Sequence, residues 1–210
     1  MDTNYWLHRW DTNQIAFHQP EGHFLLRKWF HKLPLKKGQT VFIPLCGKSH
    51  DLSWLLSQGM TVVGSELSSL AIDQLFDDLG LIPAITQVNS FRIYSASRLV
   101  VYVGDFFDLT ADVLGPVQAV YDRAALVALP HHMRSRYSEH LLELSNSSPQ
   151  LLITFDYSQV LMEGPPFSVG ADEVTSLYAS SFDTELLEEL PVPGGFKGAT
   201  PFTEQIWYLS

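Results

Sequence analysis

Residues 41–68 combine a glycine, an acidic side chain and the only cysteine of the chain at spacings that suit cofactor chemistry. A β-branched run ends at Leu45, Cys46 and Gly47 follow it, and Glu66 ends the next apolar run. In dinucleotide-binding folds, an acidic residue about 20 residues beyond the glycine loop binds the ribose hydroxyls. Gly47 and Glu66 have that spacing. The segment therefore predicts a binding site for a ligand that contains adenosine.

The loop after residue 45 is poor in glycine for a dinucleotide site. It carries one glycine, Gly47, whereas a pyrophosphate needs very close backbone approach and hence several glycines. S-adenosylmethionine has no phosphate, so one glycine suffices to hold its amino acid and sulfonium groups. The loop thus favours S-adenosylmethionine as the cofactor. A nicotinamide-dependent oxidoreductase and a non-catalytic adenosine-binding regulator are the alternatives.

Cys46 offers a different chemistry, because a cysteine at a strand-to-helix turn can act as a nucleophile when a base lies beside it. His50, four residues further on, is the nearest candidate base. Nucleophile elbows normally have small flanking residues, whereas Leu45 precedes this cysteine. We therefore expect a buried, unreactive thiol. Cys46→Ser should keep most activity, and no catalytic side chain is predicted.

Two later apolar runs also end in residues that can bind a ligand. Asp105 and Phe106 follow one run, and Arg123 follows Asp122 at the end of the other. Ligands of open α/β sheets bind beyond the carboxyl ends of the strands. We expect Asp105 and Phe106 to contact an adenine ring. Arg123 is expected to bind a cofactor carboxylate or an anionic acceptor, and Asp122 is a weaker candidate as a proton acceptor.

Bulk composition excludes several classes of protein. The chain has 210 residues, which fits one domain, and its formal net charge of −10 disfavours a nucleic-acid partner. No apolar run reaches the roughly 20 residues of a transmembrane helix. The first residues lack the basic and apolar regions of a secretion signal, and one cysteine cannot form an internal disulfide. We expect a cytoplasmic monomer without nucleic-acid or membrane partners.

Strand-like and helix-like patterns alternate from residue 41 to residue 180, and two strand-like runs end the chain. Strands are expected at residues 41–45, 61–66, 99–103, 119–122, 150–158, 184–190 and 203–209, with a further piece before residue 95. Helices are expected at residues 22–32, 49–58, 68–79, 130–145 and 172–180. This order predicts a doubly wound α/β fold with a mostly parallel sheet and an antiparallel edge.

The N-terminal segment, residues 1–32, is predicted to be a helical extension of a single domain that spans residues 1–210. Residues 1–20 carry Trp10, Phe17 and other aromatic residues, but their hydrophobic periodicity is weak. Such a segment needs something to pack against. We therefore expect it to be a lid that becomes ordered when the cofactor is bound.

Four sequence blocks resemble a known family. "FIPLCGKSHDLSWL", "VVGSELSSLAI", "YDRAALVALP" and the N-terminal "W…AFHQ…GH" resemble the thiopurine S-methyltransferase family, and its bacterial members most closely. The resemblance implies a class I S-adenosylmethionine-dependent fold with a mostly parallel, seven-stranded sheet. It also implies methyl transfer to the sulfur of aromatic and heterocyclic thiols. Some bacterial relatives are associated with methylation of selenium or tellurium compounds.

The resemblance also implies roles for individual residues. Trp10, Leu45, Glu66 and Arg123 fall on cofactor-binding positions of the family, and Phe17 falls on a position that contacts the acceptor. An aromatic face attracts cations, so the Trp10 side chain suits the sulfonium, although it could instead anchor the N-terminal segment. For Leu45 we expect the backbone carbonyl to make the contact. Replacing Glu66 by alanine is expected to weaken cofactor binding and to change fold stability little.

Three further features are interpreted as parts of the scaffold or the acceptor pocket. Within residues 163–167, "EGPPF", Gly164 to Phe167 are expected to form a rigid loop that shapes this pocket. His131 and His132 are expected at an exposed helix start, because no third ligand has metal-binding spacing. Lys197 is the single basic residue where many relatives carry arginine, so no acceptor-binding arginine is assigned there.

Overall fold

The structure is a computed structural model that describes residues 3–15 and 22–210. Its strands are β1 (Thr40–Ile43), β2 (Thr61–Glu66), β3 (Ala84–Val88), β4 (Phe91–Ala96), β5 (Leu99–Val103), β6 (Ala119–Arg123), β7 (Gln150–Tyr157), β8 (Thr184–Pro191) and β9 (Phe202–Leu209). Its α-helices are α1 (Thr3–Asp11), α2 (Phe24–Trp29), α3 (His50–Ser57), α4 (Ser69–Asp78), α5 (Ala111–Leu114), α6 (His131–Ser145) and α7 (Ala171–Tyr178).

All the strands belong to one sheet in the order β3-β4-β5-β2-β1-β6-β7-β9-β8. The central strands β5, β2, β1, β6 and β7 are parallel. Only β4 and β9 run against this direction. The predicted α/β fold with a mostly parallel sheet is therefore confirmed, as is the pairing of the last two strands.

The sheet differs from the expectation in two details. It has nine strands, because β3 and β4 form a hairpin that extends the edge beyond β5. Every residue of β3 is exposed, so β3 lacks the apolar alternation by which a strand is recognised in a sequence. The antiparallel strand β9 lies between β7 and β8 instead of at the edge.

The sheet is covered on both faces by apolar side chains. Along β1, Val41 and Ile43 point into the core beneath α2, α3 and α4, while Phe42 points into the core beneath α6 and α7. Successive strand residues face opposite sides of a sheet, which explains why β1 reads as a continuous apolar run. Burial on both faces is typical of parallel strands.

The strand order reverses between β1 and β6. β1 pairs with β2 on one side and with β6 on the other, so the chain leaves the two strand ends in opposite directions and opens a crevice. Two capped helices start near this edge. The Ser49 hydroxyl accepts the Asp51 N–H at the start of α3, and the Ser68 hydroxyl accepts the Ala71 N–H at the start of α4.

Candidate functional site

A cavity of about 550 Å³ opens at the carboxyl ends of the central strands. All seven residues that are predicted to bind a cofactor line this cavity: Trp10, Leu45, Gly47, Glu66, Asp105, Phe106 and Arg123. Phe17 lies outside the described residues. The structure therefore brings together side chains from α1 and from the ends of β1, β2, β5 and β6.

Glu66 is the most deeply embedded acid of the cavity, with 6% of its surface exposed. Its Oε2 accepts the Gly47 N–H at 2.8 Å, and its Oε1 accepts the N–H groups of Leu67 and Ser68 at 2.8 and 2.9 Å. Burial raises the pKa of Glu66, and the three backbone hydrogen bonds oppose that rise. The carboxylate thus holds the loop after β1 and faces the cavity.

The loop after β1 has an unusual backbone conformation. β1 ends at Ile43, two residues before the predicted end, because Leu45 adopts φ of 47° and turns the chain. A left-handed conformation at a non-glycine residue costs about 1–3 kcal/mol and tends to occur at functional sites. The Cys46 N–H donates to the Ser65 carbonyl at 2.8 Å, which ties the turned loop to β2.

Such strain is concentrated at the cavity. In the described chain, the residues with positive φ other than glycine, asparagine and serine are Leu45, Ala124 and Lys197. All three line the cavity. The structure elsewhere must stabilise these conformations, so their clustering is itself an indication of a functional site.

The N-terminal helix α1 closes one side of the cavity. Thr3, Trp6 and Trp10 follow the i, i+3, i+7 spacing of one helical face, and all three line the cavity. Trp10 is 5% exposed, and a Cβ added at Gly47 would lie 3.1 Å from its ring. The hydrophobic periodicity of this segment is weak because a helix that covers a cavity needs only this narrow stripe.

Cys46 is buried in the wall behind the loop. A Cβ added at Gly64 of β2 would lie 2.7 Å from the Cys46 Sγ, so the thiol packs directly on that glycine. Burial and the charge of Glu66 raise the pKa of the Cys46 thiol well above its usual value. A nucleophilic cysteine needs a depressed pKa, and these surroundings therefore favour the expected unreactive role.

Asp105 and Phe106 follow β5 on the opposite wall. The Asp105 Oδ1 accepts the Phe107 N–H at 2.9 Å and so caps the short 3₁₀ turn Phe106–Asp108. Phe106 is 4% exposed, and its ring packs on Tyr137 with centroids 5.1 Å apart. Phe107 was not predicted as a site residue, yet its half-buried ring also lines the cavity. The Arg136 guanidinium lies over this ring, 4.0 Å from its centroid.

Arg123 is held by an acid that the sequence did not suggest. Its Nη1 lies 3.5 Å from the Oδ2 of Asp51, which also accepts the Tyr121 hydroxyl at 3.1 Å. The other oxygen of Asp51 accepts the His23 N–H at 2.6 Å. Asp51 is 1% exposed, so it fixes both Arg123 and the start of the chain segment that leads into α2.

Asp122 points away from this acid and into the opposite core. Its oxygens accept the Tyr137 hydroxyl at 2.7 Å and the Leu126 N–H at 3.2 Å. It is fully buried and does not line the cavity. Burial raises the pKa of Asp122 to about 6. This geometry favours a structural role over proton transfer to or from a ligand.

The remaining walls are apolar and lie near the ends of β7 and β9. Phe155, Phe196 and Phe202 line this part together with Pro165 and Pro166 of the "EGPPF" segment. The Pro166 carbonyl accepts the Tyr157 hydroxyl at 2.7 Å, and the Phe167 N–H donates to the Val127 carbonyl at 2.7 Å. Both hydrogen bonds hold the C-terminal end of the segment, at Pro166 and Phe167.

Comparison with known proteins identifies the family. The profile of the thiopurine S-methyltransferase (TPMT) family matches residues 1–199. A thiopurine S-methyltransferase of Xanthobacter autotrophicus is 46% identical over 210 residues, covering 100% of this chain and 99% of the relative. The chain belongs to the thiopurine S-methyltransferase family. The thiopurine S-methyltransferase of Pseudomonas fluorescens is also 46% identical, over 216 residues that cover 100% of this chain and 99% of the relative.

Solved structures agree on the fold of this thiopurine S-methyltransferase family member. Magnesium protoporphyrin IX methyltransferase from Synechocystis PCC 6803, with bound S-adenosylhomocysteine, superposes with a TM-score of 0.65 at 12% identity and full coverage of both chains. A Burkholderia thailandensis N1-methyltransferase, also with bound S-adenosylhomocysteine, has a TM-score of 0.63 at 13% identity. The match covers 99% of this chain and 87% of that protein. These structures share the fold, and membership of the family makes the chain a methyltransferase whose cofactor is S-adenosylmethionine.

Several groups outside the cavity carry no site. Among the described residues, no group of three or more histidine, cysteine, aspartate or glutamate side chains could hold a metal ion. His131 begins α6 with 86% of its side chain exposed, which confirms the predicted exposed helix start. Within residues 3–15 and 22–210, no helix has the length and apolar composition needed to cross a membrane.

Proposed function

We propose that this family member transfers a methyl group to the sulfur of aromatic or heterocyclic thiols. The observation that carries the proposal is the apolar wall formed by Phe155, Phe196, Phe202 and the two prolines of residues 163–167. Flat aromatic rings pack well against aromatic side chains. The wall stands beside Arg123 and beyond β6 and β7, away from the loop that follows β1.

The cavity has the size of a small-molecule site, and its residues suit S-adenosylmethionine. The volume of the whole cavity, about 550 Å³, lies within the range of about 300–1,000 Å³ for such sites. Glu66 is proposed to accept the ribose hydroxyls. The loop of Leu45 and Gly47 lines the cavity, and its backbone is proposed to contact the amino acid group.

The other cofactor contacts follow from charge and ring chemistry. Trp10 is proposed to lie against the sulfonium, because aromatic faces attract cations. Arg123 is proposed to bind the carboxylate, with Asp51 limiting its mobility. Asp105 and Phe106 are proposed to flank the adenine. Phe17 stays a predicted acceptor contact on the strength of the family resemblance.

The chain's own contribution would be alignment and exclusion of water. S-adenosylmethionine supplies an activated methyl group when it is bound. Holding the acceptor sulfur in line with that group converts a bimolecular reaction into an effectively unimolecular one. The helix α1 and the residue 163–167 loop lie on two sides of the cavity, where they would shield the reacting atoms from solvent.

A matched acceptor panel tests the proposal. Benzenethiol, phenol and aniline share one ring and differ in the nucleophilic atom, so S-adenosylhomocysteine production from each isolates the preference for sulfur. We expect turnover of benzenethiol and little of the other two. Benzeneselenol and tellurite, added as further arms, test the proposed selenium and tellurium acceptors. Equal or faster turnover of phenol or aniline would refute the sulfur preference.

The cellular setting belongs to the same proposal. The net charge of −10 and the absence of a dense basic run support a small-molecule acceptor without nucleic-acid or membrane partners. A cytoplasmic monomer stays the prediction from the sequence. Light scattering across a concentration series, with and without S-adenosylhomocysteine, tests the oligomeric state.

A further inference from the structure

Glu204 of β9 forms an acid–histidine pair at the cavity wall. Its Oε1 lies 3.0 Å from the Nε2 of His23. The Nδ1 of His23 accepts the Leu25 N–H at 3.3 Å, which caps α2. A neutral imidazole that accepts at Nδ1 carries its proton at Nε2, so His23 donates to Glu204. The imidazole is thereby a fixed donor that orients the carboxylate.

The carboxylate is available to a ligand. Glu204 lines the cavity, and 13% of its side chain is exposed. Among the described residues, its Oε2 makes no further hydrogen bond, while an ionised carboxylate can accept at both oxygens. Glu204 stands directly opposite Phe155 in the register of β9 and β7. It therefore belongs to the half of the cavity that we assign to the acceptor.

The charged groups around Glu204 form one connected network. His23, which donates to Glu204, also donates its backbone N–H to Asp51, and Asp51 pairs with Arg123. Burial contributes most to the raised pKa of Tyr121, the charge of Asp51 contributes next, and the charge of Glu204 adds a smaller rise. Arg123 and Glu204 are thus held through shared partners, one as a cation and the other as a proton acceptor at the same cavity.

We infer that Glu204 is the general base that accepts the proton of an acceptor thiol. This inference rests on the proposed function. The thiol sulfur forms a bond to the methyl carbon while the carbon–sulfonium bond breaks, and that electron pair stays on the cofactor sulfur. The thiol proton moves to the Glu204 carboxylate. The products are a methyl thioether, S-adenosylhomocysteine and a protonated Glu204, which returns its proton to solvent.

A base of this kind matters only for some acceptors. The thiolate is the effective nucleophile, so a thiol that is already ionised at the assay pH has no proton to give. A thiol that is protonated at that pH must lose it, and a positioned base then contributes about 10²–10⁴-fold. If Glu204 is the base, the loss of activity on replacing it should depend on the acidity of the acceptor thiol. A purely structural tether between β9 and His23 would show no such dependence.

The test compares Glu204→Gln with the wild type at pH 7 on two thiols that each carry a benzene ring. Benzyl mercaptan is largely protonated there, and 4-nitrobenzenethiol is largely ionised. The amide oxygen of the introduced glutamine would still accept from His23, so the tether is retained. We expect kcat/KM to fall by about 100-fold or more for benzyl mercaptan and by much less for 4-nitrobenzenethiol. S-adenosylhomocysteine affinity, measured by calorimetry, reports the cofactor half separately.

Matched variants keep the outcome interpretable. Glu189→Gln makes the same change at an exposed acid of the neighbouring strand, which accepts from Gln205 outside the cavity, and should lower neither activity. If Glu204→Gln fails to fold, Glu204→Asp is the alternative variant. It keeps the negative charge but places it on a shorter side chain, farther from the acceptor. Its loss of kcat/KM should again be confined to the thiol that is protonated at pH 7. Equal losses on both thiols would overturn the inference. A wild type that methylates no thiol would instead refute the proposed function itself.

Discussion

The backbone N–H of Gly47 donates to the carboxylate of Glu66 at 2.8 Å, across 19 residues of chain. This hydrogen bond joins the loop after β1 to the end of β2 at the cavity. The spacing that suggested a ribose contact therefore also reflects a contact within the protein. Its other oxygen accepts the N–H groups of Leu67 and Ser68, and the group still faces the cavity, where we propose that it also accepts the ribose hydroxyls.

Replacing Glu66 should consequently affect both cofactor affinity and stability. Hydrogen bonds to charged groups contribute about 1.5–3 kcal/mol, so Glu66→Ala should lower affinity for S-adenosylhomocysteine by roughly 10- to 100-fold. The sequence led us to expect little change in stability, but three backbone N–H groups would lose their acceptor, which is a reason to revise that prediction. We expect a loss of about 2 kcal/mol or more in unfolding free energy. Calorimetry and denaturant titration measure the two effects.

Exposed Glu139 of α6 supplies a control for removal of one negative charge. Glu139→Ala should alter neither quantity. Unchanged affinity in Glu66→Ala would contradict the ribose assignment, even if the stability fell as expected. Glu66→Gln adds a finer comparison, because one amide oxygen can replace only one of the two carboxylate acceptors.

The contact between Cys46 and Gly64 predicts a compensating pair of substitutions. Gly64→Ala alone should destabilise the protein, because the new methyl group would lie 2.7 Å from the Cys46 Sγ. Adding Cys46→Ala removes that sulfur and leaves an ordinary contact of 3.4 Å to its Cβ. The double variant should thus recover most of the loss in unfolding free energy. Additive losses would show that the two side chains do not meet.

Cys46→Ser tests the thiol itself. The variant should keep most methyltransferase activity, because the buried thiol has a raised pKa and its backbone forms the loop. Its unfolding free energy should fall by about 1–3 kcal/mol, since a hydroxyl would be buried in an apolar position. Complete loss of activity in a folded variant that binds S-adenosylhomocysteine would restore the nucleophile hypothesis.

Asp122 should make stability depend on pH in a specific direction. Burial raises its pKa from 3.8 to about 6 in the folded protein, so the folded state binds the proton more tightly than the unfolded state. Its contribution is fully present below about pH 4 and is lost as the pH rises through about 6. The span between the two pKa values corresponds to about 3 kcal/mol of unfolding free energy.

Asp122→Asn isolates this effect, because every other group titrates in both proteins. The stability of the wild type relative to the variant should fall between pH 4 and pH 6 and stay level above pH 7. Denaturant titrations of both proteins at several pH values provide the measurement. A difference that rises with pH would mean that the hydrogen bonds from Tyr137 and Leu126 outweigh burial.

The parallel core was predictable because its strands are buried on both faces. β2 is a run of apolar and small residues with an acid at its end, and that pattern identified both the strand and Glu66. Asp51 and Glu204 were not predictable in the same way. Asp51 meets His23, Tyr121 and Arg123 across 28, 70 and 72 residues, and no local pattern encodes which distant segments will converge on one carboxylate.

The N-terminal helix shows another limit of pattern reading. Helices were recognised where apolar residues repeat over a broad stripe, as in α4. In α1 the buried residue is Trp10 alone, because the helix covers a cavity and not a core. Its ring meets the backbone of Gly47, a contact that depends on tertiary structure and leaves no periodic signal.

Hydrogen exchange can test whether α1 is a lid. Thr3, Trp6, Arg9 and Trp10 line the cavity, so bound S-adenosylhomocysteine would give this helix additional surface to pack against. Exchange of the amides in Thr3–Asp11 should slow when the ligand is added. The amides of α7, which lines no part of the cavity and packs on the core through Val174 and Tyr178, should change little and serve as the reference. Equal exchange of α1 with and without ligand would contradict the lid.

Trp10 on Gly47 has a consequence for which substitutions the chain can accept. Any side chain at position 47 must adopt φ of 52° and also displace the indole, whose ring atoms lie 3.1 and 3.4 Å from the new Cβ. Gly80 also has a positive φ, of 64°, yet a Cβ there meets no atom within 4 Å. Asparagine tolerates the left-handed conformation, so in a library of asparagine replacements position 80 should survive selection while position 47 stays invariant.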